Sequence, residues 1–503
     1  MTCSRPVWLL YGCALAAILS SASQAQPNPS YGTVSSPCPT QTLAVYSGVA
    51  PSQSSDLVCV LPQVFGSGGL VGTKNGGPLN DATDHEVHFQ ASTVRSFAPL
   101  NEEIGIQLNN MPLAAPVAQF LFQGGAVVST TQDLGPILTD TADTLGKGRF
   151  YFSAGFQHFE YDRVDDVNFK AADTVFHHEL ETCSPPDPMA PLDTSPTACL
   201  STGVVRYVND IVTSHNGLSL RMDQFSMTGA FGVTDSLDVA VVVPVVSIHL
   251  GMSSVAKIYN LGPVSGPDAI APCDQEHTFA GTNDATACLN QSFSKSSSTA
   301  GMGDMLIRAK YRTLKGEKTS IAVGMEFRLP TGDAYNFLGS GTWGVRPFGI
   351  VTAHLGRISP HGSLSFQGNG QSLLAGDVTG AAVQRAHLPD VISYTGGVDA
   401  MITHRFGAAV DFLGQTLLSG ARVTAGKYDG YVDPDVGNQP GYTIAAQPDL
   451  HTFTSTFTLA SVAPGIKLVP VNNLTIMASG LFRLNDTGLH ARPAPMLGVS
   501  YSF

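Results

Sequence analysis

After its first 25 residues the sequence contains no apolar run of roughly 18 residues or more, so no later segment is suited to crossing a bilayer as a helix. Charge is also scarce. Only 13% of the 503 residues are charged, against 43% hydrophobic. There is no positive excess either: the net charge is −13, which removes the electrostatic basis for binding nucleic acid. Long helical periods are missing, and with them the usual pattern of a soluble multidomain chain. No Cys-x-x-Cys pair occurs, so metal binding is the weaker reading of the cysteines, and no cofactor is expected. What remains is 52 glycines and many short alternating segments, a composition that suits a chain whose outer surface meets lipid.

The beginning reads as a secretory signal. Arg5 supplies the positive start, Val7 to Leu19 the apolar run, and Ser23-Gln24-Ala25 the small residues at a cleavage site, giving a signal peptide over 1–25. A lipoprotein signal at Cys13 is the competing reading, but Cys13 lies inside the apolar run. Six of the eight cysteines remain after cleavage, in three sequence-local pairs: Cys38 with Cys59, Cys183 with Cys199, Cys273 with Cys288. An even count in a secreted chain points to disulfides, and local loop staples are the simplest pairing among several.

From residue 148 the chain repeats one unit: a segment of ten or more residues with period-two hydrophobicity, then a break. Met305, Ile307, Ala309 and Tyr311 share one face; Leu306, Arg308, Lys310 and Arg312 share the other. Ile321, Val323, Met325 and Phe327 oppose Ala322, Glu326 and Arg328 in the same way. Alternate side chains point to opposite faces of a strand. In a membrane barrel the apolar face meets lipid and the charged face lines the lumen. We count twelve such strands: Gly148–Asp162, Tyr207–Gly232, Ser236–Ile258, Gly301–Arg312, Thr319–Leu329, Gly344–His354, Ser359–Gln367, Val391–Ile402, Phe406–Leu418, Phe453–Val469, Leu474–Leu484 and Arg492–Phe503. The second changes pattern near Met222-Asp223-Gln224, which suggests a bulge, and the tenth near Val462 to Pro464. Breaks after even strands are short and most of those after odd strands are long, as between the periplasmic and external ends of an outer-membrane barrel. The expected fold is therefore all-β: a transmembrane antiparallel β-barrel of about 12 strands (12–14) over 148–503, in the Gram-negative outer membrane.

The chain ends Leu497, Val499, Tyr501, Phe503 on one face, with Phe503 last. This resembles the terminal signal by which outer-membrane barrels are recognised for assembly. It names the barrel-assembly machinery as a partner, beside outer-membrane lipid and lipopolysaccharide. Residues 26–147 differ in composition. Short helices are expected over Asp84 to Val94 and Leu100 to Asn109, the second capped by Asn101, and a hairpin over Val117 to Ser129. This small, partly helical segment either plugs the lumen or sits in the periplasm.

Gly301-Met302-Gly303-Asp304, Arg308-Ala309-Lys310-Tyr311, Arg328-Leu329-Pro330-Thr331-Gly332-Asp333 and Gly344-Val345-Arg346-Pro347-Phe348 carry a resemblance. With Leu373 to Asp377 and the last strand, they resemble a broad family of outer-membrane barrels grouped with the MetA pathway of phenol degradation, similar in layout to FadL-type fatty-acid transporters. The likeness covers residues 84–503. It implies passage of hydrophobic or aromatic compounds and carries over no ligand residue.

Arg308, Lys310, Arg312, Glu326, Arg328 and Arg346 fall on lumen-facing positions of three consecutive strands. They form either a basic wall that tunes the passage of small-molecule solutes or an ion-pair network that holds the wall together. Ser214-His215 resembles the dyad of outer-membrane phospholipases, but adjacent strand residues point to opposite faces, so catalysis is not expected. The expected function is an outer-membrane channel for passive passage of small, hydrophobic or aromatic solutes. The alternatives are a structural or adhesive surface barrel acting through its long loops, and an outer-membrane lipid hydrolase.

Overall fold

The computed structural model describes residues 37–38, 53–66, 70, 72–73, 90–112, 121–123, 126–128, 137–177, 211–259, 277–279, 287–379, 382–429, 431–432, 443–444, 446–471 and 473–503. The signal segment 1–25 and Cys183, Cys199 and Cys273 lie outside them.

Twelve strands form one closed antiparallel barrel. In chain order they are β1 (Phe150–Val164), β2 (Ile211–Gly232), β3 (Leu237–Tyr259), β4 (Met305–Lys315), β5 (Thr319–Leu329), β6 (Gly344–Ala353), β7 (Ile358–Asn369), β8 (Val391–Thr403), β9 (Phe406–Tyr428), β10 (Gln447–Val471), β11 (Leu474–Arg483) and β12 (Ala494–Ser502). Each pairs with its sequence neighbour, and β12 closes on β1 with Leu497 opposite Phe156 and Tyr501 opposite Phe152. Short turns join the strands at the periplasmic end. Val233 N–H donates to Leu237 O (2.8 Å), and Gly316 N–H to Thr319 O (2.8 Å).

The alternation read from the sequence gives the correct faces. On β5, Ile321, Val323 and Phe327 are exposed outward, while Ala322, Glu326 and Arg328 are buried inside. On β12, Leu497, Val499 and Tyr501 point outward, and so does Phe503 just beyond it, its ring 5.7 Å from Phe150. With no water in the hydrocarbon core, a closed ladder is what satisfies the backbone of such strands.

No bulge interrupts β2. Its pairing with β3 is continuous from Ile211 to Gly232. Instead, the chemistry of its two faces inverts. Below Gln224 the outward residues are Phe225, Met227 and Phe231, and the inward ones are Ser226 and Thr228. Above it, the outward residues are Ser219, Arg221 and Asp223, and the inward ones are Leu218, Leu220 and Met222. β3 inverts at Val246, beyond which Ile248, Leu250 and Met252 turn inward. On β1 the outward phenylalanines give way to His158, Glu160 and Asp162. His158 pairs with Asp223 at 2.6 Å and Glu160 with Arg492 at 2.9 Å. The apparent change of pattern is thus the edge of the lipid, above which the wall packs like a water-soluble protein. The pattern change in β10 is likewise no break in its ladder with β9, where Val462, Ala463 and Pro464 face Phe412, Asp411 and Val410.

The upper wall is extended by two strands the sequence reading placed in loops, Thr174–His177 beside β2 and Asn290–Met302 beside β3. The Ser-rich second strand continues into β4 through Gly303, whose N–H donates to Pro244 O (2.8 Å). Against the inner face of this wall lies one helix, α1 (Gln90–Leu108), where two were expected. Pro99 sits inside it without breaking it. Phe97, Leu100, Ile104 and Leu108 recur at helical spacing and are buried, and that burial offsets the hydrogen bond proline lacks. Asn101 is therefore not a cap; its Nδ2 donates to Val58 O (3.3 Å). Phe65 joins the layers, its ring lying 5.6 Å from Phe176 and 5.1 Å from Phe293. The Cys38–Cys59 disulfide ties the preceding chain to this core. Cys288 is also disulfide-bonded. The expected hairpin is present as Leu121–Gln123 paired with Ala126–Val128.

Candidate functional site: the barrel lumen

α1 lies across the outer mouth. Asn109 Nδ2 donates to Phe337 O (3.3 Å) in the β5–β6 loop, and Gln107 Oε1 accepts from Leu489 N–H (2.6 Å) in the β11–β12 loop. Glu103 Oε2 accepts from Val423 N–H (3.0 Å) on upper β9. Residues 137–145 then run inside the wall to the periplasmic rim, where the chain enters β1.

This descending segment packs Ile137 and Ala142 into the wall, Ala142 against Ala322, Phe348 and Ile350, and is otherwise held by polar contacts. Asp411, projecting inward from β9, accepts the backbone N–H groups of Ile137 (2.8 Å), Leu138 (2.7 Å) and Thr139 (3.2 Å) through one oxygen. His361 on β7 sits 2.6 Å from the Thr139 hydroxyl and 3.3 Å from both Asp399 and Asp411. Asp140 takes Arg308 at 2.6 Å and Lys310 at 3.2 Å, and Lys310 also donates to Thr141 O (3.0 Å). Ala142 N–H donates to Thr352 Oγ1 (2.9 Å). Asp143 accepts from Ser320 (3.0 Å) and lies 3.2 Å from His354. Leu145 N–H reaches Asp238 at 3.0 Å.

The six charged residues expected on the lumen wall are all there and all face inward. Arg346 pairs with Glu326 across β5 and β6. Arg328 lies 3.8 Å from Asp304 and donates to Asn369 (2.7 Å). Arg312 donates to Asp235 O (2.7 Å) at the periplasmic rim. Arg308 also stacks over Phe348, 4.1 Å from the ring centre. Asp140, supplied from outside the wall, is a further partner that the alternation of the strands did not reveal. The signal for it was the stretch Thr139-Asp140-Thr141-Ala142-Asp143 immediately before the first strand, polar residues where a lumen-crossing segment must meet a polar wall.

Between α1, the descending segment and the wall lies a cavity of about 260 Å³. Leu306, Phe337, Leu338 and Met222 make its apolar part; Arg308, Glu326, Arg346, Ser363, Gln367 and Gln415 its polar part. Ser214 and His215 are separated by the strand, as expected. Ser214 is buried and bonded to Asn216 (2.7 Å), whereas His215 points outward to Asp173 (2.5 Å).

A closed twelve-stranded wall, apolar outside and charged within, defines an outer-membrane β-barrel, with residues 137–145 lying against its inner face. Residues 218–458 match the family described as "Putative MetA-pathway of phenol degradation". The likeness read over 84–503 is matched over this shorter stretch, which holds all four motif segments. No curated protein matches the sequence. Among solved structures, the COG4313 outer membrane channel from Pseudomonas putida F1 is 12% identical, over 72% of this chain and 98% of its own, with a TM-score of 0.38. A FadL homologue of Pseudomonas aeruginosa is 9% identical, over 71% and 89%, with a TM-score of 0.27. The toluene transporter TbuX of Ralstonia pickettii is 11% identical, over 71% and 89%, with a TM-score of 0.24. These structural likenesses are too remote to bear on function.

Proposed function

We propose that this barrel is an outer-membrane channel for passive passage of small solutes, closed in this state by its own residues 137–145. The observation that supports this reading best is the nature of the closure. A barrel that served only as a scaffold gains most from an apolar, fully packed interior. Here, beside the small apolar contacts of Ile137 and Ala142, the descending segment is held by carboxylates, hydroxyls and guanidinium groups around a cavity, and those polar contacts can exchange for water or solute. Passage of hydrophobic or aromatic compounds is supported by the apolar part of the cavity and by the description of the matched family. The reading needs no catalytic group. Lipid and lipopolysaccharide are the partners suited to the outward apolar band, the assembly machinery to the terminal strand. An adhesive role would rest on loops 178–210 and 260–276, which lie outside the described residues.

Asp411→Asn tests the closure, because it weakens the acceptor of three backbone N–H groups at once. In planar bilayers the variant should show conductance several-fold above the wild type, and liposomes carrying it should swell faster in small sugars. Neither conductance nor swelling, in wild type or variant, would remove the channel reading.

A further inference from the structure

We propose that Arg308 and Lys310 form a carboxylate subsite that Asp140 fills from within the chain, and that its exchangeable ligand is a small monocarboxylate with an aromatic or apolar body. This rests on the channel reading above and names the solute class of the same lumen.

The argument begins with which charges belong to the wall. Three cations line the cavity, Arg308, Arg328 and Arg346, and three anions, Asp140, Asp304 and Glu326. Arg346 and Glu326 are neighbours across β5 and β6, and Arg328 and Asp304 likewise both belong to the barrel, so these two pairs persist whatever fills the lumen. Asp140 alone comes from the descending segment. When it leaves, Arg308 and Lys310 lose the carboxylate that bridges them, and only the wall carboxylates Glu326 and Asp238, each near one of the two, remain to balance them. Two neighbouring cations, half-buried and buried, favour a replacement counter-charge between them. A planar carboxylate is the natural replacement, because Asp140 is itself one and the guanidinium fork matches it. One hydrogen bond, from Nη2, holds Asp140 to Arg308, out of five N–H donors on the guanidinium.

The body of the ligand is set by what flanks the charges. Leu306 is two residues from Arg308 on the same inward face, one step of about 6.6 Å towards the outer mouth. It lines the cavity with Phe337 and Leu338. The Arg308 guanidinium sits over the Phe348 ring, 4.1 Å from its centre. A carboxylate at Arg308 thus places its body against an apolar surface, within a cavity of about 260 Å³. A bare inorganic anion would leave that surface unused, and a neutral aromatic would leave both cations unmatched.

Benzoate, acetate and benzamide separate these terms in titration calorimetry on the full-length protein in detergent. Asp140→Asn removes the tethered competitor, whose effective concentration is in the millimolar range or above, so benzoate should bind roughly tenfold tighter or more in the variant than in the wild type. Acetate and benzamide should bind at least tenfold more weakly than benzoate in both. Arg308→Gln should lose benzoate binding tenfold or more. In the wild type, benzoate and not benzamide should speed amide exchange at residues 137–143, a measurement that needs no variant to fold. No gain in Asp140→Asn, equal binding of benzamide, or equal competition by phosphate would each overturn the subsite. Sugar flux through Asp140→Asn scores the channel reading separately. Flux without benzoate preference overturns the subsite alone; benzoate binding without flux keeps the subsite and overturns the channel.

Discussion

Placing arginine at adjacent positions of β5 tests which side of the wall is which. Val323 is 46% exposed and points outward; Ala322 is 0% exposed and packs against Ala142, Phe348 and Ile350. β5 runs from Thr319 to Leu329. At about 3.3 Å per residue and a tilt near 45°, its ten steps rise roughly 23 Å, close to the height of a lipid-facing band. Val323 is four steps up, so it lies within a few Å of the midplane. Val323→Arg should therefore cost about 2–4 kcal/mol of folding free energy in lipid vesicles. Ala322→Arg is a different perturbation. On alternation alone it enters open lumen and is tolerated, but Ala142 occupies that space. Overpacking of this kind costs about 1–3 kcal/mol. The barrel ladder does not have to bear it, because the descending segment can yield. Denaturant titration should show the larger loss for Val323→Arg, while bilayer conductance should rise only for Ala322→Arg. Equal losses, or a larger one at Ala322, would refute the inside–outside assignment and with it the lumen wall.

Phe503 is 63% exposed, and its N–H donates to Phe150 O (2.8 Å). Phe503→Ala should lower the amount of heat-modifiable barrel in the outer membrane several-fold, with conductance per channel unchanged; normal amounts would count against the terminal signal. Burial pushes the Glu102 carboxyl up to about 7 and holds Glu103 well above the usual range, with Asp165 adding to the second. A raised carboxyl stabilises docking of α1 fully at low pH and loses that contribution as pH climbs from about 4.5 through 7. Protease sensitivity of α1 should therefore increase from pH 5 to about 8, and Glu102→Gln should flatten the profile; a profile that rises on acidification would contradict this.

The strands were legible because the period-two pattern is dictated by two opposed solvents, lipid and a polar lumen. Where the solvents change, the same logic misled. Leu218, Leu220 and Met222 read as a slipped register, yet they mark the point where β2 leaves the bilayer. Asn290–Met302 was illegible because its serines give a strand pattern no contrast. The six wall charges could be read from their alternation. Their partner could not, because Asp140 lies 168 residues from Arg308 in the chain and the pairing exists only once the lumen has an occupant. Two helices were expected where α1 runs on through Pro99, because local propensity is visible in a sequence and the packing that overrides it is not.

The path of the chain constrains how the barrel is built. α1 sits at the outer mouth, yet β1 starts at the periplasmic rim a few dozen residues later. Residues 137–145 run down the inside of the ring to that rim. A finished cylinder would have to pass the 19-residue helix upward through its own bore. The inward-facing Leu220, Leu250 and Met252 would meanwhile stand wet. The economical sequence of events is the reverse. The strands curl around the N-terminal segment while the seam between β1 and β12 is still open, and the last pairing locks the occupant in place. The pairing of β12 with β1 is then the clasp of a container sealed with its contents inside.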